Sequence, residues 1–133
     1  MKNIMIVGLF GMLGASLRYL IGIGMRDWLA APFPWGTLLI NLAGCLLLSL
    51  FSAYLADRLR LAEGWRLGIG TGLIGSFTTF STFSVETIGL MRDGMPGLAL
   101  LYTLMSMIGG LLFAWLGFSA ADRLNRTGKA ARL

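Results

Sequence analysis

Four long apolar runs, over residues 4–25, 35–56, 67–91 and 96–121, fill most of this 133-residue chain. Arg18 is the only charge in the first and Glu86 the only charge in the third; the other two carry none. Each run exceeds the roughly 20 residues an α-helix needs to cross a hydrocarbon core of about 30 Å. Within lipid every backbone N–H and C=O must be paired inside the protein, which leaves helices as the form open to runs of this length. The sequence therefore predicts an all-α integral membrane domain of four transmembrane helices. A chain that is 56% hydrophobic and 13% charged also carries more apolar surface than a soluble domain of this size can cover.

The connectors are short: "RDWLAAPFP", "DRLRLAEGWR" and "RDGMP". Pro96 suits the first turn of a helix, where a missing N–H costs little. No linker, low-complexity tract or internal repeat divides the chain, so residues 1–133 read as one domain. Lys2 ahead of an apolar run, with "LAA" at 29–31, invites comparison with a secretory signal. The run is too long and Arg18 interrupts it, so a retained first helix is expected.

Several chemistries are excluded early. With no histidine and the single Cys45, disulfides within one subunit and Cys/His metal sites are absent. Glu86 is the only carboxylate well inside a span, so acid–base and nucleophilic catalysis lack partners and no enzyme is expected. "GIGTGLIG" lacks the GK[ST] ending of a phosphate-binding loop. The net charge of +5 comes from residues that flank the spans, which points to headgroups and topology and not to nucleic acid. Lys2, Arg58, Arg60, Arg66, Arg123, Arg126, Lys129 and Arg132 fall on one side against Arg26 and Arg92 on the other. That bias favours both termini in the cytoplasm.

The polar residues inside the spans are concentrated. "GSFTTFSTFS" places Ser76, Thr78, Thr79, Ser81, Thr82 and Ser84 among Phe77, Phe80 and Phe83. Hydroxyl donors and the electropositive edges of aromatic rings could together replace part of an anion's hydration shell; packed helices with back-bonded hydroxyls would also account for the segment. Gly68, Gly70, Gly72 and Gly75 precede it and weaken the helix, so a break is expected near Gly75–Thr78. Asn41 shares a helix face with Thr37 and Gly44; it is either polar glue between helices or an N–H donor aimed into a permeation route. Tyr102 and Ser106, four apart on the fourth span, offer a hydroxyl stripe. Arg18 and Glu86 are ions at membrane depth, and such residues point to function by default. Carboxylate rings and carbonyl filters of cation pathways are missing, so the residues lean toward an anion pathway.

"GMLGASLRY", "WGTLLINLAG" and "GSFTTFSTFS" followed by Glu86 resemble the Fluc/CrcB family of fluoride channels, over roughly residues 8–118. The resemblance implies an antiparallel, dual-topology homodimer with two pores, each lined by both subunits, in the inner or plasma membrane. It implies passive fluoride export past the edges of Phe80 and Phe83, with Asn41 donating a hydrogen bond nearby. Ser81, Thr82, Tyr102 and Ser106 would line a polar track, Arg18 would sit near a pore entrance and Glu86 near the track. The carbonyls of Gly75 and Thr78 from both subunits would hold a structural Na⁺. Two positions depart from the family pattern: Gly110 stands where a further hydroxyl is expected, and Ser49 where glycine is common.

Two other classes fit the chain less well. A small multidrug transporter needs a titratable carboxylate early in the bundle, where this chain has Arg18. A membrane scaffold subunit accounts for the glycines but not for the concentrated Phe-and-hydroxyl segment.

Overall fold

The computed structural model describes the backbone of residues 1–28 and 32–130, and side chains over 1–25 and 32–127. The "LAA" at 29–31 and Arg132 of the basic tail lie outside the described residues. Regular structure among the described residues is entirely helical: α1 (Lys2–Trp28), α2 (Trp35–Arg58), α3 (residues 63–77), α4 (Phe80–Arg92) and α5 (Pro96–Ala130). Three of these, α1, α2 and α5, are long and apolar enough to cross a membrane. The third span is made of two pieces, α3 and α4.

The helices overrun the sequence-based limits where no residue stops them. α1 continues to Trp28 because "RDW" contains no breaker, and α5 continues past residue 121 to Ala130. An Asp122–Arg126 ion pair of 2.9 Å, one turn apart, supports that extension. The second connector is shorter than expected: Arg60 adopts φ +48° in a tight turn, and helix resumes at Glu63.

The glycine-rich run behaves differently from the expectation of a simple weak point. Gly68–Ile74 winds as π-helix, and the chain opens after it, at Thr78 (φ −76°, ψ 159°) and Thr79 (φ −149°, ψ 127°). The glycines serve contact with α1. A Cβ at Gly72 would stand 2.7 Å from the Val7 carbonyl oxygen, and one at Gly14 would collide with the Leu73 carbonyl. Without a hydrophobic drive between helices in lipid, such backbone approach is how packing energy is gained.

α2 and α5 meet in the same manner. Ser49 donates its hydroxyl to the carbonyls of Cys45 (2.8 Å) and Leu46 (2.9 Å), and a Cβ at Gly117 would collide with its Oγ. Ser49 is thus accommodated by a glycine on the opposing helix. Two apolar clusters complete the interior: Phe33, Leu38, Leu90, Ala99 and Tyr102 at one end, Phe51, Ala56 and Ile74 at the other. Leu9, Met12 and Leu13 of α1, with Met107, Leu111 and Trp115 of α5, remain exposed, as lipid-facing residues should.

Candidate functional site

Two extended residues inside a membrane span leave peptide groups that must be paired. Asn41 of α2 does this. Its Nδ2 donates to the Thr79 carbonyl at 3.0 Å, and its Oδ1 accepts the Thr79 N–H at 2.8 Å. The N–H and C=O of one residue are both satisfied by one amide, which leaves a single Nδ2 hydrogen uncommitted. Gly44, three residues on, cannot carry a Cβ because the Thr78 methyl occupies that space.

Thr79 also starts α4. Its Oγ1 accepts the Thr82 N–H at 3.2 Å, an N-cap, and donates to Thr82 Oγ1 at 3.0 Å; Ser81 Oγ lies 3.3 Å away. Because Asn41 takes the Thr79 N–H, the Gly75 carbonyl loses the donor a continuous helix would supply. It accepts only the Thr78 hydroxyl, at 3.1 Å. The break therefore sets a carbonyl-bearing helix end against an N–H-bearing one, favourable to a cation and an anion respectively.

Arg18 of α1 is half-buried and donates Nε to the Ser76 carbonyl at 3.2 Å, which places its charge at the C-terminal end of α3. Glu86 of α4 has both oxygens engaged: Oε1 accepts from Thr37 and Oε2 from Tyr102, each at 2.8 Å. Tyr102 is wholly buried, its ring 5.5 Å from Phe33 and 5.0 Å from Phe83. Arg18, Thr37, Thr79, Thr82 and Glu86 line a cavity of about 650 Å³ rimmed by Pro32, Phe33, Pro34 and Trp35.

Five of the expected site residues meet around this cavity: Arg18, Thr82 and Glu86 on its walls, Asn41 bonded to Thr79 on its lining, Tyr102 bonded to Glu86. Phe80, Ser81, Phe83, Ser106, Gly75 and Thr78 do not line it. Phe80 points away and is 79% exposed, its ring 5.8 Å from that of half-buried Phe83. Ser106 is on α5 with its Oγ buried and unpartnered. Two members were not expected. Thr37, one turn before Asn41 on the same face, binds Glu86. Thr79 carried a readable signal as a residue type favoured at N-caps, placed just ahead of a helical run. Among the described residues no three His, Cys, Asp or Glu side chains cluster as a metal site. The polar groups on the cavity's otherwise largely apolar lining are the hydroxyls of Thr37, Thr79 and Thr82, the Arg18 cation, and a carboxylate whose oxygens are already occupied.

A family model described as "CrcB-like protein, Camphor Resistance (CrcB)" matches residues 5–118. A protein of Bacillus thuringiensis subsp. konkukian named fluoride-specific ion channel FluC 1 is 49% identical over 119 residues, covering 90% of this chain and 87% of the relative. Its namesake in Desulfitobacterium hafniense is 47% identical over 116 residues, covering 87% of this chain and 100% of the relative. A fluoride-specific ion channel FluC 2 from Listeria innocua serovar 6a is 46% identical over 123 residues, 92% of each chain.

Proposed function

The chain belongs to the CrcB family, and from that membership we propose that it is a fluoride-selective channel through which the anion leaves the cell passively. The observation that carries this reading is the Asn41–Thr79 clamp on the lining of a donor-rich cavity. Fluoride is small and strongly hydrated, so a route for it must replace water with donors and still release the ion. The free Nδ2 hydrogen of Asn41, the Thr82 hydroxyl and the N-terminal end of α4 offer donors without a full charge in direct contact, binding that is favourable yet weak and multi-site. Export of one anion from a negative interior gains about 2.3 kcal/mol per 100 mV, so no energy source is needed and the protein acts as a channel and not an enzyme.

We take the assembly to be an antiparallel homodimer in the inner or plasma membrane; the outward-facing Phe80 supports only the second subunit, since a ring meant to line a pore needs another wall. Each two-fold-related pore would then combine Phe80 and Phe83 with the opposite chain's polar residues. Tyr102 and Ser106 would continue the route, with the unpartnered Ser106 hydroxyl available to it. The Gly75 carbonyl, stripped of its helical donor, and the Thr78 carbonyl are hard oxygen ligands suited to Na⁺. Two chains would supply four of them, a structural site at the centre of the dimer.

Fluoride efflux from liposomes containing only this protein, measured beside chloride, tests the function. Fluoride release with chloride retained is expected; release of neither ion by folded protein, or equal release of both, refutes it.

A further inference from the structure

α5 is longer than the membrane it crosses. Its 35 residues rise about 52 Å, against a hydrocarbon core of about 30 Å. A helix entering at Pro96 and standing upright leaves hydrocarbon about 20 residues later, near Trp115. The apolar run itself ends at residue 121. Residues 115–124 therefore cross from hydrocarbon into the headgroups, the depth at which tryptophan settles.

That stretch carries a groove of about 410 Å³, lined by Trp115, Leu116, Ser119, Ala120, Arg123 and Leu124. These residues form two adjacent rows, each spaced by four, so one helix supplies the whole groove. The small side chains of Ser119 and Ala120 make its floor, between large ones at either end. α2 does not fill it: α5 turns Gly117 toward Ser49 of α2, and Gly117 and Ala121, one turn apart, are buried. α4 does not reach it, being 13 residues long and packed at the other end of α5, through Leu90 against Ala99 and Tyr102. Trp115, Leu116 and Leu124 are exposed.

The mouth of the groove holds Arg123. Side chains on a helix lean toward its N-terminus, so this one reaches back toward Ser119 over an apolar stem. Two of the acids at this membrane face are engaged elsewhere, Asp122 with Arg126 at 2.9 Å and Asp57 with Arg66. Among the described residues Arg123 has no ion-pair partner. Ser119 does not return its hydroxyl to a carbonyl four residues back, as Thr103 and Thr127 do. An uncommitted cation and a hydroxyl thus stand at headgroup depth, at the end of an apolar trough. The lining holds no carboxylate for the ammonium of a zwitterionic lipid, so a headgroup of net negative charge is favoured.

We infer that this groove binds an anionic phospholipid, with the phosphate on the Arg123 guanidinium and the Ser119 hydroxyl, and one acyl chain along the floor toward Trp115. Arginine suits the role, since its planar fork meets a phosphate with two parallel hydrogen bonds. The site lies on the lipid-facing surface of α5 and holds whatever ion the chain conducts.

Trp115 is a built-in reporter. Trp28→Phe, Trp35→Phe and Trp65→Phe together leave it as the only tryptophan. This variant is reconstituted into mixtures of phosphatidylglycerol and phosphatidylcholine, one of the two brominated in its acyl chains, so that lipid touching the indole quenches its fluorescence. Phosphatidylglycerol is expected to bind about fivefold more tightly than phosphatidylcholine, the effect of one arginine at a membrane surface. Adding Arg123→Gln should remove that preference. If the reporter variant does not fold, native mass spectrometry of the unsubstituted chain and of Arg123→Gln makes the same comparison: the first should retain phosphatidylglycerol and the second lose it. Equal quenching by the two lipids, a preference unchanged by Arg123→Gln, equal retention in the mass spectra, or a Trp115 that neither lipid quenches because a second copy covers it, would each overturn the inference.

Discussion

Asn41→Asp separates the two jobs assigned to this side chain. The carboxylate keeps an acceptor for the Thr79 N–H, now 2.8 Å from Oδ1, but loses the donor that meets the Thr79 carbonyl at 3.0 Å. A buried carbonyl left without its partner costs about 1–3 kcal/mol. For conduction the charge matters more. An anion passing about 4 Å from an ionised carboxylate meets a repulsion of about 4 kcal/mol at an effective dielectric of 20, which is roughly a thousandfold in rate. Asn41→Ala removes both hydrogen bonds and adds no charge; it should loosen the break and lower flux about tenfold, the effect of about 1.4 kcal/mol. Efflux measured with a fluoride electrode, with thermal unfolding of the same samples, resolves the two effects. An Asp variant that conducts within threefold of the parent would refute the reasoning, because the amide would then lie away from the anion's route.

Further outcomes follow from other features. Phe80→Ile should cut fluoride flux at least tenfold with the dimer intact, since a ring 79% exposed in one chain contributes little to its fold; parental flux would remove the ring from the pore. Replacing Na⁺ by a large organic cation should lower dimer stability by mass action, and dimer dissociation indifferent to the exchange would remove the proposed cation site. Gly14→Val should abolish folded protein, because its side chain would enter the Leu73 carbonyl, and recovery of stable protein would contradict the α1–α3 contact. Cysteine labelling at the C-terminal tail of intact cells should occur from both sides of the membrane; labelling from the cytoplasmic side alone would mean that the chain pairs with an oppositely inserted partner.

The helical character was legible because helix identity needs no tertiary information at such lengths, and three of the four expected spans are single helices long and apolar enough to cross a membrane. A break was expected near Gly75–Thr78, and the chain leaves helix at Thr78 and Thr79. Glycine content marked the weak stretch, yet Gly68 and Gly72 are used for contact with α1, and the helix opens where Thr79 can cap the next one. Asn41 was legible as an anomaly with two meanings; its hydrogen bonds to Thr79 show that it joins helices, and they leave one Nδ2 hydrogen free for the other. The Thr37–Glu86–Tyr102 network was beyond reach, because its members come from three helices and no local spacing announces them.

The interruption at Thr78–Thr79 also bears on how the chain enters the bilayer. α3 has 15 residues and α4 has 13, each short of the roughly 20 that let a segment partition into lipid by itself. During synthesis the nascent third span would expose the Thr79 peptide to hydrocarbon until the Asn41 amide reaches it from a span made earlier. α1 and α2 must therefore already be in place, with Gly14 and Gly44 ready to receive Leu73 and Thr78. Membrane integration of this protein would thus be a handover between helices and not four independent insertions, with the third segment held in lipid only while the first two remain alongside.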